Sequence, residues 1–153
     1  MARFPHSGPA PGGAPGHQRV RGQLGAHLVA EEAEHLCEYL NAHRNDRTPL
    51  HLSAYAMWRL NWMHSFSDGN GRTSRVFSYV VFCVALGYVL PGTRTIPDQI
   101  VANRKPNFMA LEAADRAWKE SRVDLSSMET LLARLLASQL TSLIELATGK
   151  KYL

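Results

Sequence analysis

A stretch of twelve residues brings together side chains that could act on a phosphate ester. Residues 64–75 read His-Ser-Phe-Ser-Asp-Gly-Asn-Gly-Arg-Thr-Ser-Arg. His64 carries an imidazole, the side chain that most often takes a proton near neutral pH. Asp68 carries a carboxylate of the kind that holds a phosphate-bound Mg²⁺. The stretch therefore suits a reaction in which a general base and a metal ion work on the same phosphate.

The middle of this stretch predicts a backbone that binds anions. Gly69 and Gly71 can take positive φ, and their N–H groups, with that of Asn70, can converge on one point. We expect the next helix to begin near Arg72, so that its N-terminal dipole faces the same point. Arg72 and Arg75 are three positions apart and share a face of the first turn. Guanidinium groups match phosphate oxygens well.

Each feature also has an ordinary explanation. A histidine before a loop is commonly a helix cap or a packed residue, and Asp-Gly-Asn-Gly is most often a simple turn. Two arginines at a helix start are usually solvated. They oppose the helix dipole there, however, so an anion lying among them makes better sense of the pair. We expect Phe66, in the middle of the loop, to be buried and to anchor it.

The loop lies between segments with helical periodicity. Residues 51–63 and 72–88 are predicted as two central helices, the second ending at Gly87, with a strand as the rival interpretation of 72–88. Further helices are predicted over 30–43, 97–103, 106–120 and 124–147, with Asp124 as the N-cap of the last. Residues 18–29 alternate loosely between apolar and polar. They predict a short hairpin, best placed at 21–25, with plain loop as the alternative.

Length and composition limit the classes that fit. The 153 residues, 45% of them apolar, predict a flexible Pro/Gly-rich segment at 1–19, a domain at 20–147 and a tail at 148–153. A net charge of +4 without a dense basic run predicts no nucleic-acid partner. Cys37 and Cys83 are predicted to be buried thiols. Neither a signal peptide nor a membrane span is expected, so the predicted location is cytoplasmic.

The loop resembles the signature of the Fic (filamentation induced by cAMP) family, His-x-Phe-x-Asp/Glu-Gly-Asn-Gly-Arg-x-x-Arg. The specified positions are all met, by His64, Phe66, Asp68, Gly69, Asn70, Gly71, Arg72 and Arg75. The likeness covers roughly residues 20–140 and is strongest over 51–90. It implies an all-α, Fic-like helical bundle with a central helix-loop-helix. It also implies a short β-hairpin flap, which residues 18–29 match only weakly.

The resemblance implies a protein adenylyltransferase, which moves AMP from ATP to a Ser, Thr or Tyr hydroxyl of a target protein. His64 would take the hydroxyl proton, and Asp68 would hold Mg²⁺ between the α- and β-phosphates. The remaining loop residues would bind phosphates: Gly69, Asn70 and Gly71 the α- and β-phosphates, Arg72 the β-phosphate region and Arg75 the γ-phosphate. Family members also line the base pocket with an arginine and aromatic residues from a later segment, which here points to Arg104 and Phe108.

The sequence departs from the family pattern at two places besides the flap. Ser65 replaces the proline that commonly follows the histidine. The family's inhibitory pattern, Ser/Thr-x-x-x-Glu-Gly/Asn, is met at Thr141 and Glu145 but fails at Leu146. Restraint is therefore expected from a separate inhibitory protein or is missing. Two other functions stay open. One is another Fic-type phosphotransfer, although kinase-type relatives carry lysine where Gly71 stands here. The other is a non-catalytic helical module that binds a nucleotide or a partner.

Overall fold

A computed structural model describes residues 26–151 as an all-helical bundle. Its helices are α1 (Ala26–Ala42), α2 (Pro49–Met63), α3 (Asn70–Leu86), α4 (Ile96–Ala102), α5 (Lys105–Lys119) and α6 (Ser126–Thr148). No strand occurs in this part of the chain, which confirms the all-α prediction and excludes the strand interpretation of residues 72–88. Each predicted helix is present, with ends shifted by a few residues.

The predicted hairpin is wrong where the structure can test it. Residues 26–29 belong to the first turn of α1, and residues 18–25, including the best hairpin candidate, lie outside the described residues. The helix predicted from residue 30 extends backward because no glycine or proline between 26 and 29 interrupts it.

Helix ends follow the local sequence. Thr48 and Thr95 cap α2 and α4 by accepting a hydrogen bond from the backbone N–H three residues ahead. Gly87 ends α3 with φ +82°, as predicted. The last helix begins at Ser126 with Leu125 at the N-cap position, so the prediction of Asp124 as the N-cap is wrong by one residue. The Asp124 carboxylate instead accepts hydrogen bonds from the Ser126 N–H at 3.0 Å and from the Ser126 hydroxyl at 2.7 Å. These bonds hold the pKa of Asp124 below its usual value.

Helix α2 is the centre of the bundle and packs against α1, α3, α5 and α6. Its core side includes a charged residue, Arg59, which pairs with Glu32 of α1 inside the protein. The guanidinium carbon lies 4.5 Å from the ring centroid of Trp62, 5.3 Å from that of Trp58 and 5.7 Å from that of Trp118. A buried cation is thus surrounded by one carboxylate and three indole rings.

Two expectations for α1 are corrected. The first concerns its length: α1 begins at residue 26 rather than 30, so Glu32 lies beyond its first turn, where it is buried in the core. The second concerns its cysteine: Cys83 is buried as predicted, whereas Cys37 is exposed. The helical pattern around Cys37 was correct, but α1 packs by the side that carries Glu32 and Leu36.

A chain of hydrogen bonds joins α1, α2 and α6 on one side of the bundle. The Tyr39 hydroxyl lies 2.9 Å from His51 Nε2, and His51 Nδ1 lies 2.8 Å from a carboxylate oxygen of Glu129. The Tyr39 ring stacks on Tyr55, with ring centroids 3.7 Å apart. Burial raises the pKa of Tyr39, and it raises the pKa of Tyr55 to about 12.

The buried Tyr55 hydroxyl predicts a loss of stability in alkali. An unfolded tyrosine ionises near pH 10, whereas folded Tyr55 keeps its proton to about pH 12, so this contribution is complete below pH 10 and falls as the pH rises to 12. Between these limits the free energy of unfolding should drop by about 1.4 kcal/mol per pH unit from this group. Measured by urea unfolding, the free energy of unfolding of the protein should therefore fall relative to that of Tyr55→Phe as the pH rises above 10. A constant difference would contradict the prediction.

Helix α6 is long and apolar enough to cross a membrane by length and composition alone. Core helices of soluble proteins pass the same test. Here α6 contacts α2, α4 and α5, and its Met128, Leu131 and Leu132 are buried in the bundle.

Candidate functional site

Hydrogen bonds between polar side chains join α2 and α3, the two helices that flank the loop. The Ser53 and Ser78 hydroxyls lie 2.8 Å apart, and each also donates to the other's backbone carbonyl, at 2.9–3.0 Å. Nearer the loop, the Asn61 amide donates to the Ser74 hydroxyl at 2.7 Å, and that hydroxyl donates to the Gly71 carbonyl at 3.2 Å. Small side chains let the helices approach closely, and the hydrogen bonds fix their register, so both ends of the loop are held in place.

His64 occupies a strained position at the end of α2. Its backbone is left-handed, with φ 51° and ψ 49°, and its N–H closes the last helical turn on the Leu60 carbonyl at 3.3 Å. A residue other than glycine adopts this conformation at a cost, although histidine does so more often than most, so the neighbouring structure must hold it. The left-handed backbone at His64 ends α2, and the imidazole is exposed beside the loop.

Asn70 clamps the loop from within. Its side-chain oxygen accepts from the Phe66 N–H at 2.9 Å, and its side-chain nitrogen donates to the Phe66 carbonyl at 2.5 Å. Asn70 is buried, while the Phe66 side chain is 51% exposed. The expectation that Phe66 is buried is therefore wrong. The backbone of Phe66 anchors the loop, and its ring points outward.

Replacing Asn70 with alanine should loosen the loop without unfolding the bundle. Losing two hydrogen bonds at a buried position should lower the free energy of local opening by about 1–3 kcal/mol, so the Phe66 amide should exchange roughly tenfold to a hundredfold faster. Hydrogen exchange measured by NMR tests this. Ser67→Ala in the same loop serves as the control and should leave the Phe66 rate unchanged. Equal rates in the Asn70 variant and the parent would contradict the clamp.

Asp68 is held at the tip of the loop by two contacts. One carboxylate oxygen accepts from the Gly69 N–H at 2.6 Å, and the other accepts from Arg72 at 2.8 Å. The ion pair is exposed to solvent and therefore weak. A metal ion could displace Arg72 from the carboxylate at little cost. No group of three or more metal-binding side chains occurs within residues 26–151, so Asp68 fits a Mg²⁺ whose other ligands are phosphate oxygens and water.

The backbone of the loop offers N–H groups to an anion, but they are not the three that the sequence predicted. Gly69 has φ +88° as predicted, but its N–H is used by Asp68. Gly71 lies inside α3, which begins at Asn70 rather than Arg72. A Cβ at Gly71 would lie 3.1 Å from a guanidinium nitrogen of Arg75, so glycine there leaves room for that side chain. No side chain caps α3, which leaves the N–H groups of Asn70, Gly71 and Arg72 free for an anion.

The loop forms one side of a cavity of about 570 Å³, and α5 forms the other. His64, Asp68, Gly69, Asn70, Gly71, Arg72 and Arg75 all line it, so the structure brings every predicted site residue together. Arg104 and Phe108, proposed from the family resemblance, also line it. Burial, and then repulsion from Arg104 and Arg72, lower the pKa of Arg75. Three guanidinium groups therefore line one cavity, and Asp68 is the single carboxylate that residues 26–151 contribute to it. A polyanion would relieve the repulsion among the guanidinium groups.

Two asparagines in this cavity were not predicted. Asn61 reaches it from α2, and Asn107 from α5. Asn107 is only 5% exposed, and its side-chain oxygen has no hydrogen-bond partner within residues 26–151. An unsatisfied buried acceptor is unusual, and a water, an ion or a donor group of a ligand can satisfy it. A polar residue on the apolar face of an amphipathic helix is the signal that could have identified Asn107.

Taken together, these features define a helical bundle whose central loop presents a base, an uncapped helix N-terminus and clustered arginines to one cavity. The model of the Fic/DOC family matches residues 15–82. This segment contains all the specified positions of the loop signature, and the match confirms the resemblance to the Fic family. It indicates a transferase of the Fic type. No curated protein and no solved structure matches the chain.

Proposed function

We propose that this protein is an adenylyltransferase that moves AMP from ATP to a hydroxyl of a target protein. The observation that carries the proposal is the convergence of His64, the uncapped start of α3 and three arginines on one cavity of about 570 Å³. The lining combines one imidazole with three guanidinium groups. This is the arrangement that transfer of a phosphate ester to a hydroxyl needs.

In this proposal the target's Ser, Thr or Tyr oxygen attacks the α-phosphorus of ATP. The bond from that phosphorus to the bridging oxygen of the β-phosphate breaks, and pyrophosphate leaves. The hydroxyl proton passes to the His64 imidazole. The exposed position of His64 supports this role, because a macromolecular substrate can reach it only at the surface.

The rest of the loop would bind the triphosphate. The free N–H groups at the start of α3 suit the α- and β-phosphates, Arg72 the β-phosphate region and Arg75 the γ-phosphate. Asp68 would hold Mg²⁺, which neutralises phosphate charge when bound. Arg72, released from Asp68, would then be available to the nucleotide. Arg104, Asn107 and Phe108 would contact the nucleoside, the Asn107 oxygen accepting from a base or sugar donor.

The partners and location stay proposals of the same kind. The target is a protein with an accessible hydroxyl, restraint comes from a separate inhibitory protein or is missing, and the location is cytoplasmic. A non-catalytic nucleotide-binding module is the second candidate. It is favoured by one observation, the engagement of both Asp68 carboxylate oxygens by Gly69 and Arg72.

Label transfer from ATP decides between these functions. The protein is incubated with Mg²⁺ and cell extract, once with α-labelled and once with γ-labelled ATP. AMP transfer predicts labelled protein from the α-label alone, and no labelling when EDTA removes the metal. Labelling from the γ-position alone would make the protein a kinase and overturn the proposal. ATP binding without labelling from either position would favour the binding module.

A further inference from the structure

A second concave surface lies between α5 and α6. We name it the α5–α6 groove, and it encloses about 480 Å³. Its floor is apolar, formed by Ala110 and Leu131 in the core and by Met109, which is 59% exposed. Exposed methionine on a groove floor adapts to the shape of an apolar ligand. The groove shares no lining residue with the loop cavity.

Within the described part of the chain, residues 26–151, three cations line this groove and no carboxylate does. They are Lys105 and Arg116 of α5 and Arg134 of α6. None of them forms an ion pair with another residue of the described chain. Asp115, the acidic neighbour of Arg116, turns toward the core and accepts a hydrogen bond from the Trp58 indole at 2.9 Å. The groove is therefore positively charged, and no acidic side chain of residues 26–151 neutralises the three cations that line it.

The spacing of these charges indicates an elongated anionic ligand. Lys105 and Arg116 are eleven positions apart on one helix, which places them about 16 Å from each other. Arg134 lines the same groove from α6, which follows α5 after a short connection. A single phosphate group cannot reach all three cations, whereas a helix of three turns can. The apolar floor suits the apolar side of such a helix and does not suit a sugar-phosphate backbone.

We propose that the α5–α6 groove binds an acidic amphipathic helix of a partner protein. The apolar side of that helix packs on Met109, Ala110 and Leu131. Its Asp or Glu side chains pair with Lys105, Arg116 and Arg134. This inference does not depend on the proposed enzymatic activity, because it rests on a different surface with its own charges and floor.

The probe that tests it is a fluorescein-labelled 18-residue peptide with leucine on one face and glutamate on both flanks. A matched peptide carries lysine at every glutamate position. Fluorescence anisotropy should show micromolar binding of the acidic peptide and at least about tenfold weaker binding of the basic one. The Arg116→Glu/Arg134→Glu variant should lose at least tenfold in affinity for the acidic peptide. Both arginines are exposed, so the variant should keep its fold, which circular dichroism verifies.

A crossed control separates the groove from the loop cavity, which is also basic. Arg75→Glu should leave acidic-peptide binding unchanged, whereas the groove variant should leave binding of inorganic triphosphate unchanged. The proposal is overturned if the acidic peptide does not bind at millimolar concentration, or if the lysine peptide binds equally well. It is also overturned if Arg75→Glu removes peptide binding. A 12-nucleotide single-stranded RNA that binds as tightly and is lost in the groove variant would assign the surface to nucleic acid instead.

Discussion

Replacing His64 with alanine is expected to lower the rate of AMP transfer by about 10²- to 10⁴-fold, the usual contribution of a general base. Among residues 26–151, the cavity lining offers two side chains that could accept the proton of an attacking hydroxyl, the His64 imidazole and the Asp68 carboxylate. Both oxygens of Asp68 are already engaged, by Gly69 and Arg72. Removing His64 therefore leaves no substitute base in the described site.

The measurement must separate loss of chemistry from loss of binding or folding. Affinity for ATP, measured by isothermal titration, should change little in the variant, because the phosphate donors lie on α3. His43→Ala is a matched control, since His43 pairs with Asp46 in the turn after α1 and does not line the cavity. It should keep full transfer activity. A His64→Ala variant that labels protein at the parent rate would exclude His64 as the base.

Replacing Arg59 with methionine is expected to destabilise the fold by about 3–5 kcal/mol, because the change leaves the Glu32 carboxylate charged and buried without its main partner. The variant also gives up the contact of the guanidinium with the Trp62 ring. Glu32→Gln should lower the free energy of unfolding by a similar amount, because in that variant it is Arg59 that loses its charged partner. The charge of Arg59 would then remain among three indole rings, and one of its terminal nitrogens already has no hydrogen-bond partner within residues 26–151.

The double variant Arg59→Met/Glu32→Leu provides the sharper test. Both charges disappear together, so its cost should be well below the sum of the single costs, and a double-mutant cycle in urea measures the difference. Arg122→Met is the matched control: Arg122 contacts Glu120 and Asp124 but is exposed, and no measurable change is expected. Additive costs in the cycle would show that Arg59 and Glu32 do not depend on each other.

The loop shows how far sequence reasoning reaches. Its chemistry was predicted because it is contiguous: the twelve residues 64–75 carry the base, the carboxylate, the glycines and two of the three arginines of the cavity. The details of the loop were not predicted. Phe66 was expected inside and lies outside, because the choice depends on the Asn70 clamp on its backbone. The start of α3 was predicted two positions too late, at Arg72 instead of Asn70. Gly71 therefore lies in α3 and not in the turn before it.

Contacts between side chains that are far apart in the chain could not be predicted from the sequence. Arg59 lies on the core side of α2, where a charge needs a buried partner, but nothing local in the sequence identifies Glu32, which lies 27 positions earlier. The same holds for Asn107, whose unsatisfied oxygen becomes informative only when α5 packs beside the loop.

The sequence by itself determined the helical periodicity, the caps and the chemistry of one contiguous loop, because these depend on residues within a few positions of one another. The tertiary structure alone decided which residues from distant helices complete the cavity, which charge is buried beside Arg59, and which positive groove lies between α5 and α6. Those features arise from the packing of whole helices. The face that each helix turns inward is set by the combined burial of many side chains.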